Sequence, residues 1–222
     1  MKTYVAGGSY HIYNRGVEKR VIFEDDQDYR VFLHLLKYYL SPPDINDTHP
    51  LLEGTDVHLI RPRPLINVHI DVQLLAFCLL PNHFHLLVKQ SSANGMTRLM
   101  QALSTTYVMY FNRRYDRVGP LFQDRYKAVF VGEGDMGDRY LLHLSRYIHM
   151  NPYKELTGPG LVSWPYSSLP YYLGRKRASW IRLSPVLDYF GGSTREQVAY
   201  YKRFVADAGS DPEPSIHHLV IE

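Results

Sequence analysis

Polar and apolar residues alternate along Tyr10-His11-Ile12-Tyr13-Asn14-Arg15 and stop at Gly16, which predicts a first strand closed by a turn. Asp25-Asp26 then supplies an N-cap and an acidic first turn for a helix through Tyr38, with Tyr29, Phe32, Leu33, Leu36 and Tyr39 at helical spacing. From Ser41 to Leu65 the periodicity fades among Pro42, Pro43, Pro50, Pro62 and Pro64, so residues 41–66 are expected to be a loop insertion. Two apolar runs, Val68–Leu79 and His83–Val88, flank Leu80-Pro81-Asn82 and predict a hairpin. Met96 to Arg114 carries Met96, Leu99, Met100, Leu103, Tyr107, Tyr110 and Phe111 on one stripe, the pattern of a long amphipathic helix. Gly119-Pro120 ends it, Leu121–Val131 reads as another strand, and Asp138–Asn151 reads as a helix capped by Asp138 and stopped by Pro152.

Strand, helix, strand, strand, helix, strand, helix is the order of a split βαβ unit. The expected class is therefore α+β: an antiparallel sheet of ferredoxin-like type flanked by helices. Beyond Leu156 the texture changes to Gly, Pro and paired aromatics before a closing helix from Thr194 to Ala208, with Gly209–Pro214 loose. The expected organisation is a domain over 1–155 followed by a partly helical C-terminal extension over 156–222.

Of 222 residues, 45% are hydrophobic, which supports a real core and excludes disordered and fibrous classes. One cysteine, Cys78, rules out an intramolecular disulfide and a Cys-rich zinc site. No apolar run reaches a membrane-spanning length and Met1–Tyr4 leads into no signal-peptide core, so a soluble cytoplasmic protein with no membrane partner is expected. The net charge of +3 says little. Its distribution says more: Arg98, Arg113, Arg114, Arg117, Arg125, Lys127, Arg139, Arg146 and Lys154 face only Asp116, Asp124, Glu133, Asp135 and Asp138 in the same stretch. On charge alone a solvated basic face is preferred to a nucleic-acid partner.

Two groups of residues carry candidate chemistry. His83 and His85, two apart at the start of a strand, share one face and form two-thirds of a metal site; taken alone, a chance or satisfied surface pair is the preferred reading. On the helix from Asp138, the residues His143, Tyr147 and Asn151 follow at four-residue steps beside the stripe of Leu141, Leu144 and Ile148. Alone, Tyr147 reads as a half-buried aromatic and Asn151 as a helix C-terminal residue before Pro152. His143, one turn before Tyr147, is a fourth ligand, a proton acceptor or a solvated helix histidine, the last being preferred. His149 is expected to point away. Asp71 and Gln73 share a face with His69, and an exposed sheet face is the preferred reading over a contact near the metal.

Leu80-Pro81-Asn82-His83-Phe84-His85-Leu86-Leu87, Gly119-Pro120-Leu121-Phe122-Gln123-Asp124-Arg125-Tyr126 and Arg146-Tyr147-Ile148-His149-Met150-Asn151-Pro152 together resemble, in order and spacing, the single-tyrosine HUH transposases, and within them the REP-associated tyrosine transposases. The resemblance covers roughly Tyr10 to Lys154. It implies a nuclease that cuts and rejoins single-stranded and hairpin DNA through a 5′-phosphotyrosine, with Tyr147 as nucleophile and a divalent metal on His83, His85 and Asn151. Leu80 stands where the family often has methionine, and the insertion is longer than usual.

Mixed nitrogen and oxygen ligation suits Mg²⁺ or Mn²⁺ better than closed structural zinc. For DNA contacts the expected residues are Arg15, closing the first strand, with Arg113, Arg114, Arg125 and Lys127; Tyr107 and Tyr110 belong to the core stripe. The resemblance also implies action at the nucleoid, and it leaves a monomer and a homodimer both open. A non-cleaving hairpin-binding protein of the same fold, and a phosphodiesterase that uses water, are the competing readings.

Overall fold

The computed structural model describes residues 4–43, 66–132, 134–155 and 164–207. The core of the expected insertion (44–65), the 156–163 stretch around the expected boundary and the tail from 208 lie outside them. The elements are β1 (Ser9–Arg15), α1 (Asp26–Leu40), β2 (Val72–Leu80), β3 (His83–Gln90), α2 (Gly95–Arg114), β4 (Lys127–Gly132), α3 (Gly134–Glu155), α4 (Leu169–Tyr172), α5 (Ser184–Leu187) and α6 (Thr194–Ala206). The four strands form one antiparallel sheet in the order β2-β3-β1-β4, the ferredoxin-like arrangement the element order predicted.

Both sheet faces are covered. Ile12, Leu74, Phe77, Leu79, Phe84, Leu86 and Val88 pack under α1 and α2, together with Phe32, Leu36, Leu99, Leu103 and Tyr107. On the other face Cys78, Leu80 and Leu87 meet Leu144 and Ile148 of α3 and Tyr172, Leu187 and Tyr201 of the C-terminal helices. A bulge at Leu75, between Leu74 and Ala76 in the pairing with β3, turns two successive β2 residues, Leu75 and Ala76, toward this second core. The C-terminal segment also covers the β2 edge. Ser167 bridges Cys78, Ile181 bridges Leu74, and the Arg182 N–H donates to the Leu74 carbonyl at 2.8 Å.

Several boundaries differ from expectation for local reasons. β2 begins four residues later than the apolar run, because Val68–Asp71 forms a turn: the Asp71 and Val72 amides both donate to the Val68 carbonyl. The last strand begins at Lys127, since residues 121–126 meet the end of β1 irregularly: Phe122 bridges Gly16, the Gln123 amide donates to the Arg15 carbonyl at 2.9 Å, and the Asn14 side chain donates to the Asp124 carbonyl at 3.0 Å. α3 starts at Gly134, before Asp138, and passes through Pro152 to Glu155. Proline's fixed φ is helical, so it removes one hydrogen bond without forcing the chain out of its final turn. In α1, Leu35 is buried and Leu33 only half-buried.

Gly16 after β1 is required by a close approach. A Cβ there would lie 2.3 Å from the Arg20 carbonyl oxygen. The tight turn lets Ile22 and Phe23 donate to the Pro81 carbonyl at 2.7 and 3.1 Å, while the Gly16 amide donates to the Asn82 carbonyl at 2.9 Å. The β2–β3 hairpin loop is thereby held against the end of β1.

Asp25 caps α1, accepting from the Gln27 and Asp28 amides. Asp28 is fully buried and accepts from the Glu24 amide (2.8 Å), the Tyr110 and Tyr115 hydroxyls (2.9 Å each) and Arg114 Nη1 (2.7 Å). The second Arg114 nitrogen reaches Asp25 at 2.6 Å. Removing the cation strands a buried carboxylate, so Arg114→Met should lower the unfolding free energy by about 3 kcal/mol. Exposed Arg113→Ala should change it by less than about 0.5 kcal/mol. Urea denaturation of both variants checks the pair.

Candidate active site

Register builds the site. β3 pairs with β1 so that Tyr13 lies opposite His85 and Arg15 opposite His83; on the other side, β2 sets Cys78 and Leu80 opposite the same two histidines. His83 and His85 thus share the α3 face of the sheet with His11, Tyr13 and Arg15 of β1. His83 and His85 are buried, with ring centroids 5.0 Å apart.

Each ring has an anchored nitrogen. His83 Nδ1 lies 2.6 Å from the Asn82 side-chain oxygen, which can only accept, so Nδ1 carries the proton and Nε2 the lone pair. His85 Nδ1 lies 2.9 Å from His11 Nε2, and the two rings are nearly coplanar, with centroids 5.1 Å apart. His85 Nε2 is buried with no hydrogen-bond partner among the described residues. Burial, reinforced by the positive charge of Arg15, lowers the His83 pKa to about 4, and burial drives that of His85 well below its ordinary value. Both imidazoles are therefore neutral near pH 7, the form that binds a metal.

Tyr147 comes to this place from α3. Its ring stands edge-to-face with that of His85 at 5.9 Å and that of His11 at 6.3 Å, and the residue is half-buried. Asn151, one turn on and on the same side of the helix, is buried with its amide nitrogen unpartnered among the described residues. A half-turn of that amide places its oxygen at the unpartnered position.

A buried His85 nitrogen and a buried Asn151 amide, both without partners among the described residues, are groups that a bound ion would satisfy, so these residues fit a divalent cation. Among the described residues no group of three or more His, Cys, Asp or Glu side chains converges on one point. A third donor drawn from the described residues is then of another kind, and an amide oxygen qualifies.

Residues 65–151 match the family model described as Transposase IS200 like. That IS200-like stretch is under half of the chain, but it contains His83, His85, Tyr147 and Asn151 and leaves β1, α1 and the C-terminal helices outside. No curated protein matches the chain significantly. Among solved structures, the fold is similar to that of a REP-associated tyrosine transposase bound to a REP hairpin, with a TM-score of 0.51 and 15% identity. The likeness covers 87% of this chain and 95% of the other. None of the described helices is long and apolar enough to cross a membrane.

The basic residues fall in different places. Arg15 is half-buried beside His83, and its Nε has no partner among the described residues. Arg125 and Lys127 are exposed along a groove of about 960 Å³ at the β4 edge, shared with Tyr13 and Gln101, and Lys127 Nζ lies 5.8 Å from the Tyr13 ring centre. Arg113 and Arg114 belong to the helix layer on the opposite sheet face, and Arg114 is engaged by Asp25 and Asp28.

Outside the site, Asp71 pairs with Arg98, and Gln73 lies opposite Lys89 at the far end of β3. His143 is buried rather than solvated: it meets the Phe204 ring and lies 3.2 Å from Arg146 Nη2. His149 points away from the histidine pair into a buried chain, with Nδ1 2.7 Å from the Tyr201 hydroxyl and Nε2 2.6 Å from Ser168 Oγ. Tyr201 reaches Ser145 at 2.9 Å, and Ser168 takes the Phe77 amide at 2.8 Å. This chain links α3 to the sheet and to α6.

Sequence reasoning did not single out His11 or the tautomer-setting role of Asn82. The signal for His11 was its place two residues before Tyr13 and four before Arg15, on one face of β1.

Burial holds the His149 pKa at about 3. The unfolded histidine takes a proton below about 6.5 and the folded one does not. Its contribution to stability is therefore complete above that value and is lost as pH falls toward 3. Between pH 7 and pH 5 this amounts to about 2 kcal/mol. Urea titrations should show His149→Gln losing about that much less stability than wild type over the same interval.

Proposed function

We propose that the chain cleaves and rejoins single-stranded DNA at hairpins of the REP or insertion-sequence-end kind. Tyr147 acts as nucleophile and a 5′-phosphotyrosine as the intermediate. The observation that carries this reading is the placement of a half-buried phenol ring edge-to-face with a buried histidine whose outer nitrogen has no partner among the described residues. The IS200-like match across those residues, and the fold shared with a transposase bound to a REP hairpin, support the substrate class.

His83, His85 and Asn151 would hold Mg²⁺ or Mn²⁺, which supplies Lewis-acid polarisation of the scissile phosphate. All three donors are neutral, so they subtract nothing from the positive charge offered to the phosphodiester. Helix α3 holds the phenol in line with the bond to be broken. Its oxygen bonds to phosphorus as its proton leaves, the bond to the 3′-oxygen breaks, and that oxygen takes up a proton as a free 3′-hydroxyl. Attack by another 3′-hydroxyl reverses the step and joins strands without an external energy source.

Arg15 adds a fixed cation beside His83 for the same phosphate. Arg125 and Lys127, with exposed Arg113 farther off, neutralise the backbone on either side, while Arg114 serves the α1 cap. Tyr147 meets His85 of its own chain, which supports reading the site as built within one subunit. The C-terminal helices brace α3 rather than carry chemistry.

A hairpin-bearing oligonucleotide with Mn²⁺ should give a covalent adduct on a denaturing gel, abolished by EDTA, by Tyr147→Phe and by His85→Ala. Arg15→Ala should slow adduct formation about 100-fold. EDTA-insensitive binding without an adduct would make the chain a hairpin-binding protein, and full cleavage by Tyr147→Phe would make water the nucleophile.

A further inference from the structure

We infer that His11 is a positioning residue that sets the tautomer and ring plane of His85, and through them the aim of the metal-binding nitrogen. The inference rests on the reading of His85 as a metal ligand and extends it to a residue outside the matched 65–151 stretch.

A neutral imidazole has one protonated and one lone-pair nitrogen, and only the latter binds a metal. His85 can present Nε2 to an ion only if Nδ1 carries the proton, and a buried Nδ1–H needs an acceptor. The structure provides one partner there: His11 Nε2, at 2.9 Å. The contact is well insulated from competing water, since His11 and His85 are 0% and 1% exposed. The opposite assignment, with His11 donating, would leave a proton on His85 Nε2, buried with nothing among the described residues to accept it.

The two rings are nearly coplanar, 17° apart with centroids at 5.1 Å, so the hydrogen bond runs along the plane of His85 and restrains its rotation, and the His11 ring also meets that of Tyr147. His83 is served by a parallel device, since the Asn82 oxygen takes its Nδ1 proton. Each proposed histidine ligand therefore has its own acceptor from a different element, the hairpin loop for one and β1 for the other. Such partners behind a metal-bound histidine typically change metal affinity by about 10- to 100-fold.

The test uses the full chain without DNA. In ¹⁵N-resolved NMR of the metal-free protein, His85 should be protonated at Nδ1, and His11→Leu should abolish that preference. By calorimetric titration His11→Leu should bind Mn²⁺ about 10- to 100-fold more weakly than wild type. His11→Gln, which restores an acceptor at similar reach, should recover most of the affinity. A role limited to packing would shift thermal stability without moving the tautomer.

Wild-type His85 protonated at Nε2, or His11→Leu binding Mn²⁺ as tightly as wild type, would overturn the inference. A wild-type chain with no Mn²⁺ affinity would overturn the metal centre and the role of His11 with it. If His11→Leu does not fold, the wild-type tautomer decides. A failure of the strand-transfer reading appears separately, as a missing adduct on the gel.

Discussion

A slip of one residue between β1 and β3 would carry His83 and His85 through the sheet, from the α3 side to the side packed under α1 and α2. Their placement against Tyr147 therefore depends on one register, with Arg15 opposite His83 and Tyr13 opposite His85. Two things hold it. Ile12, Phe84 and Leu86 must lie on the apolar face beneath α1 and α2, and Gly16 lets the chain after β1 pass close enough to bind the hairpin loop at Pro81 and Asn82. The end of β1 and the start of β3 are thus tied together where the proposed chemistry takes place.

The second requirement is that α3 keep its angle to the sheet. Its inner face is apolar at Leu144 and Ile148, and such contacts alone tolerate sliding. Directional bonds remove that freedom. Ser145 and His149 engage Tyr201 of α6, and His149 also engages Ser168, which binds the backbone of β2 at Phe77. A buried polar chain satisfied along its length favours one arrangement, because any shift would leave a donor or acceptor without a partner. Tyr147, two residues before His149, inherits that position while its own ring stays half-exposed toward the histidines.

Strands, helices and their order were readable because each follows from local spacing. Alternation marked β1, the Pro81-Asn82 break marked the hairpin, and the Met96–Arg114 stripe marked α2. The mismatches arose where a local bond overrode the pattern: the turn at Val68 shortened β2, and α3 ran on through Pro152, whose φ is already helical. Among the basic residues, sequence could not separate Arg113 from Arg114. Neighbours in the chain, one is exposed and the other is bound to a buried carboxylate on α1, a pairing set by helix packing across 86 positions.

The sequence by itself determined the α+β class, the element order and the candidates for the proposed chemistry, since side-chain type and short-range periodicity are local properties. The tertiary structure alone decided which of them meet. It brought His11 onto His85 across 74 residues, buried His143 against Phe204, and drew His149 into the brace of α3. Those outcomes depend on strand register and helix packing, where the partner of a residue is chosen by the burial of everything around it.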